Sequence, residues 1–447
     1  MRSFVVAVVV GLVVTGGASA EVVARGVSDG QLAVSADGRP YVAYALGRNL
    51  TIAARTGPDR WRPQIAARME KGSSLAAFAT GPAGPVALVV GPGVRSLYVV
   101  RLAGDHWVKS FLARRLDPGV SLGWPGLALD RTGLPVVAYT RWRERNRLSQ
   151  LVLARVGQSG TVQAWRITTN GWPASYVAPP AVPVVLPNGT VHVVETYGLS
   201  GTIGTIEWYP TRSSWTGQFI SGGVGDFPVG PMFAAVGAGN VIYSAWTEAF
   251  LSWNEFPVTL ASHGRSIDAN FVLDRALTTG LAITSRGPEV AANQWVSAND
   301  LGAASDDVLW AGTITGRGGS EVDGWIDGVA TAPGRGSQDL LLGRPGAILW
   351  FRAPGALPVR VSLTAEQQDD GSVILSGRVR GSSGGRLALY RERPGSARTA
   401  IGTPKLGPGG SFTLTDAPRK RPVLYRAVYV DPRTRIPYAK LLRDPVG

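Results

Sequence analysis

Short apolar runs separated by turn residues recur along residues 21–355. The segment Ser35–Arg55 reads SADGRPYVAYALGRNLTIAAR: a turn, an apolar run, a polar break and a second apolar run. A similar pattern recurs at Leu129–Arg155, which reads LDRTGLPVVAYTRWRERNRLSQLVLAR. Runs rich in β-branched and aromatic residues, bounded by Gly, Pro, Asn and Asp, are typical of strands. The pattern therefore predicts a chain built from many short strands.

A glycine marks the same point in each repeat, where one apolar run ends and the next begins. These glycines are Gly38, Gly84, Gly133, Gly189, Gly239, Gly287 and Gly336. Successive glycines are 46, 49, 56, 50, 48 and 49 residues apart. A period of about 50 residues with short strands is the signature of a β-propeller, in which each repeat is a four-stranded sheet called a blade. We therefore predict an all-β fold with seven blades; six blades are the alternative.

Each repeat divides into four strands, here named a to d in chain order. Strand d is predicted to open on an aromatic residue, and we expect these rings to pack between neighbouring blades. The aromatic residues are Trp61, Trp107, Trp165, Trp215, Phe271 and Trp325. The seventh repeat supplies only about three strands. The segment EVVARGV at Glu21–Val27 is predicted to add the missing outer strand and close the ring.

The last 92 residues have a different alternation of apolar and polar positions. Strands separated by Gly, Pro and Asp turns at short intervals indicate a small β-sandwich over residues 356–447. This segment holds 16 Lys and Arg against 7 Asp and Glu, a net charge of +9 out of +14 for the whole chain. A basic module of this kind is expected to associate with anionic cell-wall polymers or membrane surfaces.

The first 20 residues have the composition of a secretory signal peptide. Arg2 precedes an apolar stretch from Phe4 to Val14, and the segment ends on Ala18-Ser19-Ala20. We predict removal of residues 1–20, a bacterial Sec-type export route, and an extracellular chain without a transmembrane anchor that starts at Glu21; an uncleaved anchor is the alternative. The chain contains no cysteine, which excludes disulfides and thiol chemistry.

The repeats resemble those of bacterial secreted sialidase-like (BNR-type) β-propeller proteins. The resemblance depends on the pattern A-x-D-x-x-G-x-P followed by an apolar run ending in Ala-Tyr, then L-x-x-A-R and a Trp, and covers Gln31–Pro354. The C-terminal segment resembles bacterial Ig-like or fibronectin-type modules, on SGRV, GSFTL and YRAVY. That second resemblance implies a spacer or adhesive domain.

The sialidase resemblance implies an arginine triad, a Tyr nucleophile activated by a Glu, and an Asp acid/base. The chain departs from that pattern. Its Arg-Ile-Pro lies at Arg435–Pro437, inside the C-terminal module, and the Asp box survives only as fragments such as GPDRW and GDHW. We therefore assign no catalytic residue, and the sequence favours a binding protein over an enzyme.

Loops between strands b and c, and between d and the next a, leave a propeller on one face, and here they collect the aromatic residues. Aromatic rings beside polar groups suit sugar rings, because the ring faces stack and the polar edges form hydrogen bonds. Alternatively, the same rings cover the blade ends. The candidate ligand-binding residues are Arg141, Trp142, Arg143, Trp172, Tyr176, Phe227, Trp246, Glu248, Trp253 and Glu255.

Metal and cofactor signals are sparse. His106, His192 and His263 lie far apart in the chain, and His192 falls inside a predicted strand, where packing is expected. No metal site and no cofactor are predicted; calcium held by loop carboxylates and carbonyls stays open because it leaves little trace in sequence. Nucleic acid is not an expected partner. The oligomeric state stays open.

These observations lead to one functional hypothesis with two alternatives. The first is an exported propeller that binds a carbohydrate or cell-envelope polymer through aromatic loops on one face. The second is a sialidase-like glycoside hydrolase with degenerate motifs, in which Glu248 and Glu255 would be the first carboxylates to test. The third is a protein–protein scaffold.

Overall fold

The structure is a computed structural model, and it is built from strands. It describes residues 20–27, 30–114, 116–143, 148–168, 172–173, 178–199, 202–223, 227–249, 256, 258–263, 270–273, 276–284, 287–297, 308–314, 320–323, 325–331, 337–344, 346–354, 359–382, 384–393, 396–418, 422–443 and 446. Within these ranges the remaining regular structure consists of single 3-10 turns such as Pro92–Val94 and Ala238–Asn240.

Among the described residues before position 355 there are thirty strands. In chain order they are β1 (Glu21–Arg25), β2 (Gln31–Val34), β3 (Pro40–Leu46), β4 (Asn49–Gly57), β5 (Arg60–Arg68), β6 (Ser74–Gly81), β7 (Gly84–Val90), β8 (Leu97–Ala103), β9 (His106–Ala113), β10 (Val120–Leu122), β11 (Gly126–Leu129), β12 (Pro135–Arg143), β13 (Leu148–Val156), β14 (Val162–Arg166), β15 (Trp172–Pro173), β16 (Ala181–Val185), β17 (Val191–Leu199), β18 (Thr202–Pro210), β19 (Trp215–Gly223), β20 (Phe227–Val236), β21 (Ile242–Ala249), β22 (Val258–His263), β23 (Asn270–Leu273), β24 (Ala276–Thr284), β25 (Gly287–Ser297), β26 (Val308–Ile314), β27 (Ser320–Val322), β28 (Trp325–Thr331), β29 (Ser337–Arg344) and β30 (Ala347–Pro354).

These strands form seven antiparallel sheets, which we number as blades 1 to 7. Blades 1 to 6 are β2–β5, β6–β9, β10–β15, β16–β19, β20–β23 and β24–β27, and blade 7 consists of β28, β29, β30 and β1. The innermost strand of each blade packs against that of the next, and β28 of blade 7 packs against β2 of blade 1. The sheets therefore close into a ring, so the all-β propeller prediction is confirmed.

Apolar side chains fill the spaces between adjacent blades. Leu88 and Val99 of blade 2 share one core with Val137 and Tyr139 of blade 3. Similar cores lie between the other neighbouring pairs of blades. A single sheet with two apolar faces cannot bury both faces alone, so the stacking of blades is what stabilises each sheet.

The N-terminal strand closes the ring as the sequence predicted. Strand β1 pairs antiparallel with β30, with Glu21 opposite Trp350. The Glu21 carboxylate accepts hydrogen bonds from the Arg55 guanidinium at 2.7 and 2.8 Å and from the Trp61 indole at 3.1 Å. Because Arg55 and Trp61 belong to blade 1, this carboxylate joins the first blade to the last.

The glycines that mark the repeats lie in the turns between strands a and b. Six of them, from Gly38 to Gly287, have φ values between 69° and 112°. Side chains with a Cβ rarely adopt this left-handed region, which explains why the chain uses glycine at this point of each repeat. Gly336 lies outside the described residues.

The structure agrees in part with the aromatic residues that were predicted to open strand d and to pack between blades. Trp61, Trp107 and Trp215 are half-buried against the cores between blades, whereas Trp165 on β14 is 41% exposed. The prediction for Trp325 is wrong, because this residue opens strand a of blade 7 and strand d of blade 6 is the short β27. Phe271 lies on strand d of blade 5, β23.

Polar side chains on strand b join some blades to the next. The Thr140 hydroxyl of blade 3 donates to the Pro179 carbonyl at 2.6 Å, just before β16 of blade 4. The Asn293 amide of blade 6 donates to the Ile326 carbonyl at 3.0 Å and accepts from its N–H at 2.7 Å, on β28 of blade 7. These bonds pair backbone groups that face the neighbouring blade and that would otherwise be buried without a partner.

The C-terminal segment forms two facing sheets. Its strands are β31 (Arg360–Gln367), β32 (Val373–Arg380), β33 (Arg386–Glu392), β34 (Thr399–Gly402), β35 (Ser411–Asp416), β36 (Leu424–Val430) and β37 (Pro437–Leu441). Strands β31, β32 and β35 make one sheet, and the other runs β37-β36-β33-β34. Leu363, Leu375 and Phe412 from the first sheet share a core with Leu389 and Tyr425 from the second. The predicted β-sandwich is confirmed.

The sandwich is not a separate appendage, because one of its sheets continues blade 6. Strand β27 pairs with β37, with Glu321 opposite Ala439 and Val322 opposite Tyr438, so a single sheet of eight strands runs from β24 to β34. An uncovered edge strand exposes unpaired backbone groups, and β37 satisfies those of β27. The expectation of a simple spacer module missed this pairing.

Buried charges reinforce the junction between blade 6 and the sandwich. Asp323, which follows β27, accepts two hydrogen bonds from Arg398 at 2.7 and 2.9 Å and lies 3.6 Å from Arg426. Burial alone would raise the pKa of Asp323, but these arginines and Arg344 lower it to about 2. The carboxylate is therefore ionised in the folded state and paired with guanidinium groups of the sandwich.

Candidate functional site

Blade 3 has two strands more than its neighbours at the face where the b–c connections leave, here called the rim face. Strands β12 and β13 are nine residues long, and β11 and β14 cover only their lower part. The upper part is flanked by two extra strands, β10 and β15. We call this upper four-stranded part the blade 3 platform; it consists of residues 120–122, 141–143, 148–150 and 172–173.

One row of the platform carries two tryptophan positions. Ser121 pairs with Trp142, Trp142 pairs with Ser149, and Ser149 pairs with Trp172. Arg141 and Arg143 flank Trp142 on the same strand, opposite Leu122 and Val120. The structure therefore brings four of the predicted ligand-binding residues, Arg141, Trp142, Arg143 and Trp172, onto one sheet.

The platform offers hydrogen-bond donors that have no protein acceptor. Trp142 and Arg141 are half-buried, and neither the Trp142 Nε1 nor the Arg141 Nε has a hydrogen-bond partner among the described residues. Below them, the Tyr139 ring is 6.0 Å from the Arg141 guanidinium. Burial raises the pKa of Tyr139, against the opposing charge of Arg141, so its phenol is neutral at physiological pH. Both donor atoms are buried from solvent, so a ligand can reach them only if the side chains that cover them move.

The blade 5 residues occupy a different environment. Trp246 is 1% exposed and packs with Val182, Val194 and Met232 in the core between blades 4 and 5. Glu248, two residues further along β21, is 0% exposed and accepts a hydrogen bond from the Thr259 hydroxyl at 2.9 Å. Alternate residues of a strand share a face, and both side chains lie on a face covered by the neighbouring blade. Trp246 is therefore a core residue and not a stacking surface on the rim.

Burial raises the pKa of Glu248 to about 7, because the hydroxyl of Thr259 and the nearby indole of Trp246 only partly offset the loss of water. Blade 4 lies between this carboxyl group and the blade 3 platform. Phe227 pairs with Ala249 at the end of blade 5, where its backbone is described. Tyr176, Trp253 and Glu255 lie outside the described residues, so their assignment to the site stays a prediction.

Sequence analysis missed a second buried acid. Glu195 on β17 is 3% exposed and accepts a hydrogen bond from the Trp208 indole at 3.1 Å. Burial raises its pKa to about 8, because a single neutral donor compensates little of the lost hydration. The signal that could have identified Glu195 is its position directly after the strand residues VHVV, where a buried side chain is expected.

A buried histidine network lies between blades 4 and 5. Glu207 contacts His192 Nδ1 at 2.5 Å and His263 Nδ1 at 3.3 Å, and His263 Nε2 contacts the Ser244 hydroxyl at 2.8 Å. Burial would raise the pKa of Glu207, but the two histidines lower it to about 2. The order serine, histidine, carboxylate is that of a nucleophilic site. However, Ser244 is 0% exposed, so no substrate atom can reach it, and the network has a structural role.

The described residues contain no group of three or more His, Asp or Glu placed to hold a metal ion. Across the same part of the chain, no helix has the length and apolar character needed to cross a membrane.

No family model matches the chain, and no curated protein matches it in sequence. The structure is similar to a solved lectin variant from Aleuria aurantia in complex with Fucα1-6GlcNAc, with 13% identity over 68% of this chain and 96% of the lectin and a TM-score of 0.44. Another lectin structure from that organism, described as a six-bladed β-propeller with a fucose recognition mode, has 11% identity over 86% and 97% of the two chains and a TM-score of 0.42.

An exo-β-1,3-galactanase from Phanerochaete chrysosporium with galactose has 9% identity over 96% and 100% of the two chains and a TM-score of 0.36. These similarities are distant. The propeller assignment depends on the strand pairing described above, and membership of the sialidase-like repeat family stays a prediction.

Proposed function

We propose that the chain is an exported binding protein that contacts a carbohydrate or cell-envelope polymer through the blade 3 platform. The row Ser121–Trp142–Ser149–Trp172 carries this proposal. Two tryptophan positions separated by one strand can contact successive sugar rings. Arg141 and Arg143 alternate with Trp142 along β12, so they lie on the other face of the sheet.

A polysaccharide panel tests the proposal directly. Full-length mature protein is applied to peptidoglycan sacculi and to immobilised xylan, galactan, mannan and chitin, and its retention is measured. For a retained polymer, Trp142→Ala is expected to weaken binding at least about tenfold, corresponding to about 1.4 kcal/mol. Trp165→Ala is the matched control, because Trp165 lies on the same blade and is exposed but belongs to β14, outside the platform.

Two outcomes would refute the binding proposal. One is no retention on any polymer of the panel. The other is an equal loss of affinity in Trp142→Ala and Trp165→Ala, because that result would assign binding to general aromatic exposure and not to the platform. Intact folding of both variants is checked by their thermal unfolding temperature.

Export is a separate part of the proposal. Strand β1 begins at Glu21, the first residue after the predicted cleavage point, and its side chain and backbone are both engaged in closing the ring. We therefore expect the protein recovered from the culture medium to begin at Glu21, and N-terminal sequencing measures this. A secreted protein that starts several residues later would lack part of β1 and would contradict the cleavage site.

Glycoside hydrolysis is the second candidate function, and one observation favours it: the pKa of Glu248, at about 7, suits a general acid. Access is the difficulty, because the side chain is fully buried. Hydrolysis would be supported by release of reducing sugar from a retained polymer that Glu248→Gln abolishes. We favour binding, since Trp142 and Arg141 are half-buried whereas Glu248 is fully buried.

A further inference from the structure

A basic cleft lies where the outer sheet of the sandwich meets blade 6. It consists of two adjoining cavities, of about 320 and 520 Å³, which share Arg378 and Arg380 as walls. The first cavity also contacts Arg360, Lys440 and Glu321. The second is bounded by the Gly409–Gly410 turn, which packs so closely on β32 that a Cβ at position 410 would collide with the Val379 carbonyl.

The arginines of this cleft are concentrated by strand register. Arg360 on β31 pairs directly with Arg380 on β32, and Arg378 lies two residues away on the same face of β32. All three are exposed, while Val379 between them points into the core. Like charges opposite each other in a sheet repel, at a cost of roughly 0.2–1 kcal/mol. A bound anion would remove that repulsion.

The carboxylate in the cleft is already neutralised. Glu321 accepts a hydrogen bond from Lys440 at 2.8 Å and from the Leu441 N–H at 3.1 Å, and it lies 3.2 Å from Arg443. Within the described part of the chain, neither Arg378 nor Arg380 has an ion-pair partner. Three arginines, Arg360, Arg378 and Arg380, therefore line the cleft beside a Glu321 carboxylate that Lys440 and Arg443 already neutralise.

We propose that this cleft binds the phosphate groups of a polyol-phosphate chain, so that the sandwich holds an anionic envelope polymer while the blade 3 platform contacts its own ligand. The planar guanidinium group matches phosphate through two parallel hydrogen bonds. Two adjoining cavities that share a wall of Arg378 and Arg380 suit consecutive phosphates of one chain better than a single small anion.

A fluorescently labelled glycerol-phosphate oligomer is the probe, and its anisotropy with the full mature chain gives the affinity at low and high salt. The variant Arg378→Gln/Arg380→Gln is expected to weaken binding at least about tenfold. Arg386→Gln/Arg433→Gln removes the same charge from exposed positions outside the cleft and is expected to change affinity less than about twofold. Thermal unfolding checks that both variants fold.

Three comparisons decide the ligand. Inorganic phosphate should displace the oligomer only at high concentration. Vesicles of phosphatidylglycerol should bind less tightly than the oligomer. The affinity for an oligonucleotide with the same number of phosphates should fall less in Arg378→Gln/Arg380→Gln than the affinity for the oligomer. Equal losses in the cleft variant and its control, tighter binding of vesicles or oligonucleotide, or no binding at low salt would overturn the proposal. Trp142→Ala should leave oligomer binding unchanged, so failure at one site is distinguishable from failure at the other.

Discussion

Two glutamates of blade 4 show how strongly a partner decides the ionisation of a buried carboxyl group. Glu195 and Glu207 lie on the adjacent strands β17 and β18. For each of them, burial by itself would raise the pKa of the carboxyl group. The one donor to Glu195 is a neutral indole, and its pKa stays near 8. Glu207 contacts two imidazoles, and its pKa falls to about 2. The same residue type is therefore neutral at one position and ionised at the other at pH 7.

The raised pKa of Glu195 predicts a loss of stability as the pH rises. The unfolded carboxyl group has its ordinary pKa of 4.5, so between pH 4.5 and about 8 the folded state binds more protons than the unfolded state. The stabilisation present at low pH is thus lost progressively through this range. We expect Glu195→Gln, which keeps an acceptor for Trp208, to be more stable than the parent by roughly 4 kcal/mol at pH 8 and by about 1 kcal/mol at pH 5.

Urea unfolding of both proteins across this pH range measures the difference. Glu366→Gln is the control, because Glu366 is exposed on β31. A stability difference between Glu195→Gln and the parent that is the same at pH 5 and pH 8 would contradict the assigned protonation.

The environment of individual side chains was harder to predict from the sequence than the positions of the strands. Trp142 and Trp246 both lie on strand b of their blades and look alike in the sequence, yet Trp142 is half-buried on a widened sheet and Trp246 lies in a core. The difference arises because β10 and β15 lengthen blade 3, and a strand of three residues or of two leaves almost no trace in the sequence. Periodicity identifies the strand but not what covers its end.

At the scale of elements, the hydrogen bonds between blades predict that two substitutions lower the free energy of unfolding by different amounts. Asn293→Leu removes both bonds to Ile326 and leaves a buried N–H and a buried carbonyl without partners, so it is expected to destabilise the protein by roughly 2–4 kcal/mol. Thr140→Val removes one bond, to the Pro179 carbonyl, and is expected to destabilise by about 1 kcal/mol. The urea midpoints measure both. A smaller effect for Asn293→Leu than for Thr140→Val would show that these bonds do not join the blades.

Elements were predicted well where backbone geometry demands a residue type. The turn glycines require a left-handed φ, so their spacing counted the blades. Strand β1 was predicted because the seventh repeat lacked an outer strand, and pairing requirements leave few candidates. Trp325 was misassigned because β27 has only three residues and its pairing partner, β37, lies far away in sequence. Local patterns carry no information about such distant pairing.

At the scale of the whole molecule, the eight-stranded sheet makes the propeller and the sandwich depend on each other. The sandwich strands begin at Arg360, and the chain then returns to blade 6 through β37. The Asp323–Arg398 pair and the contacts of Glu321 lie on this same junction. The blade 3 platform and the basic cleft are therefore carried by one connected framework of strands.

We expect the full chain to unfold in a single calorimetric transition, because loss of either part exposes the junction of the other. A chain ending at Pro354 would leave β27 without β37 and Asp323 without Arg398, and an open strand edge favours association. The truncated chain should therefore unfold at a lower temperature and sediment as larger species than the full chain. Asp323→Asn in the full chain keeps the edge covered and should lower the unfolding temperature without causing association. If the truncated chain were monomeric and as stable as the full one, the joined sheet would have no energetic role.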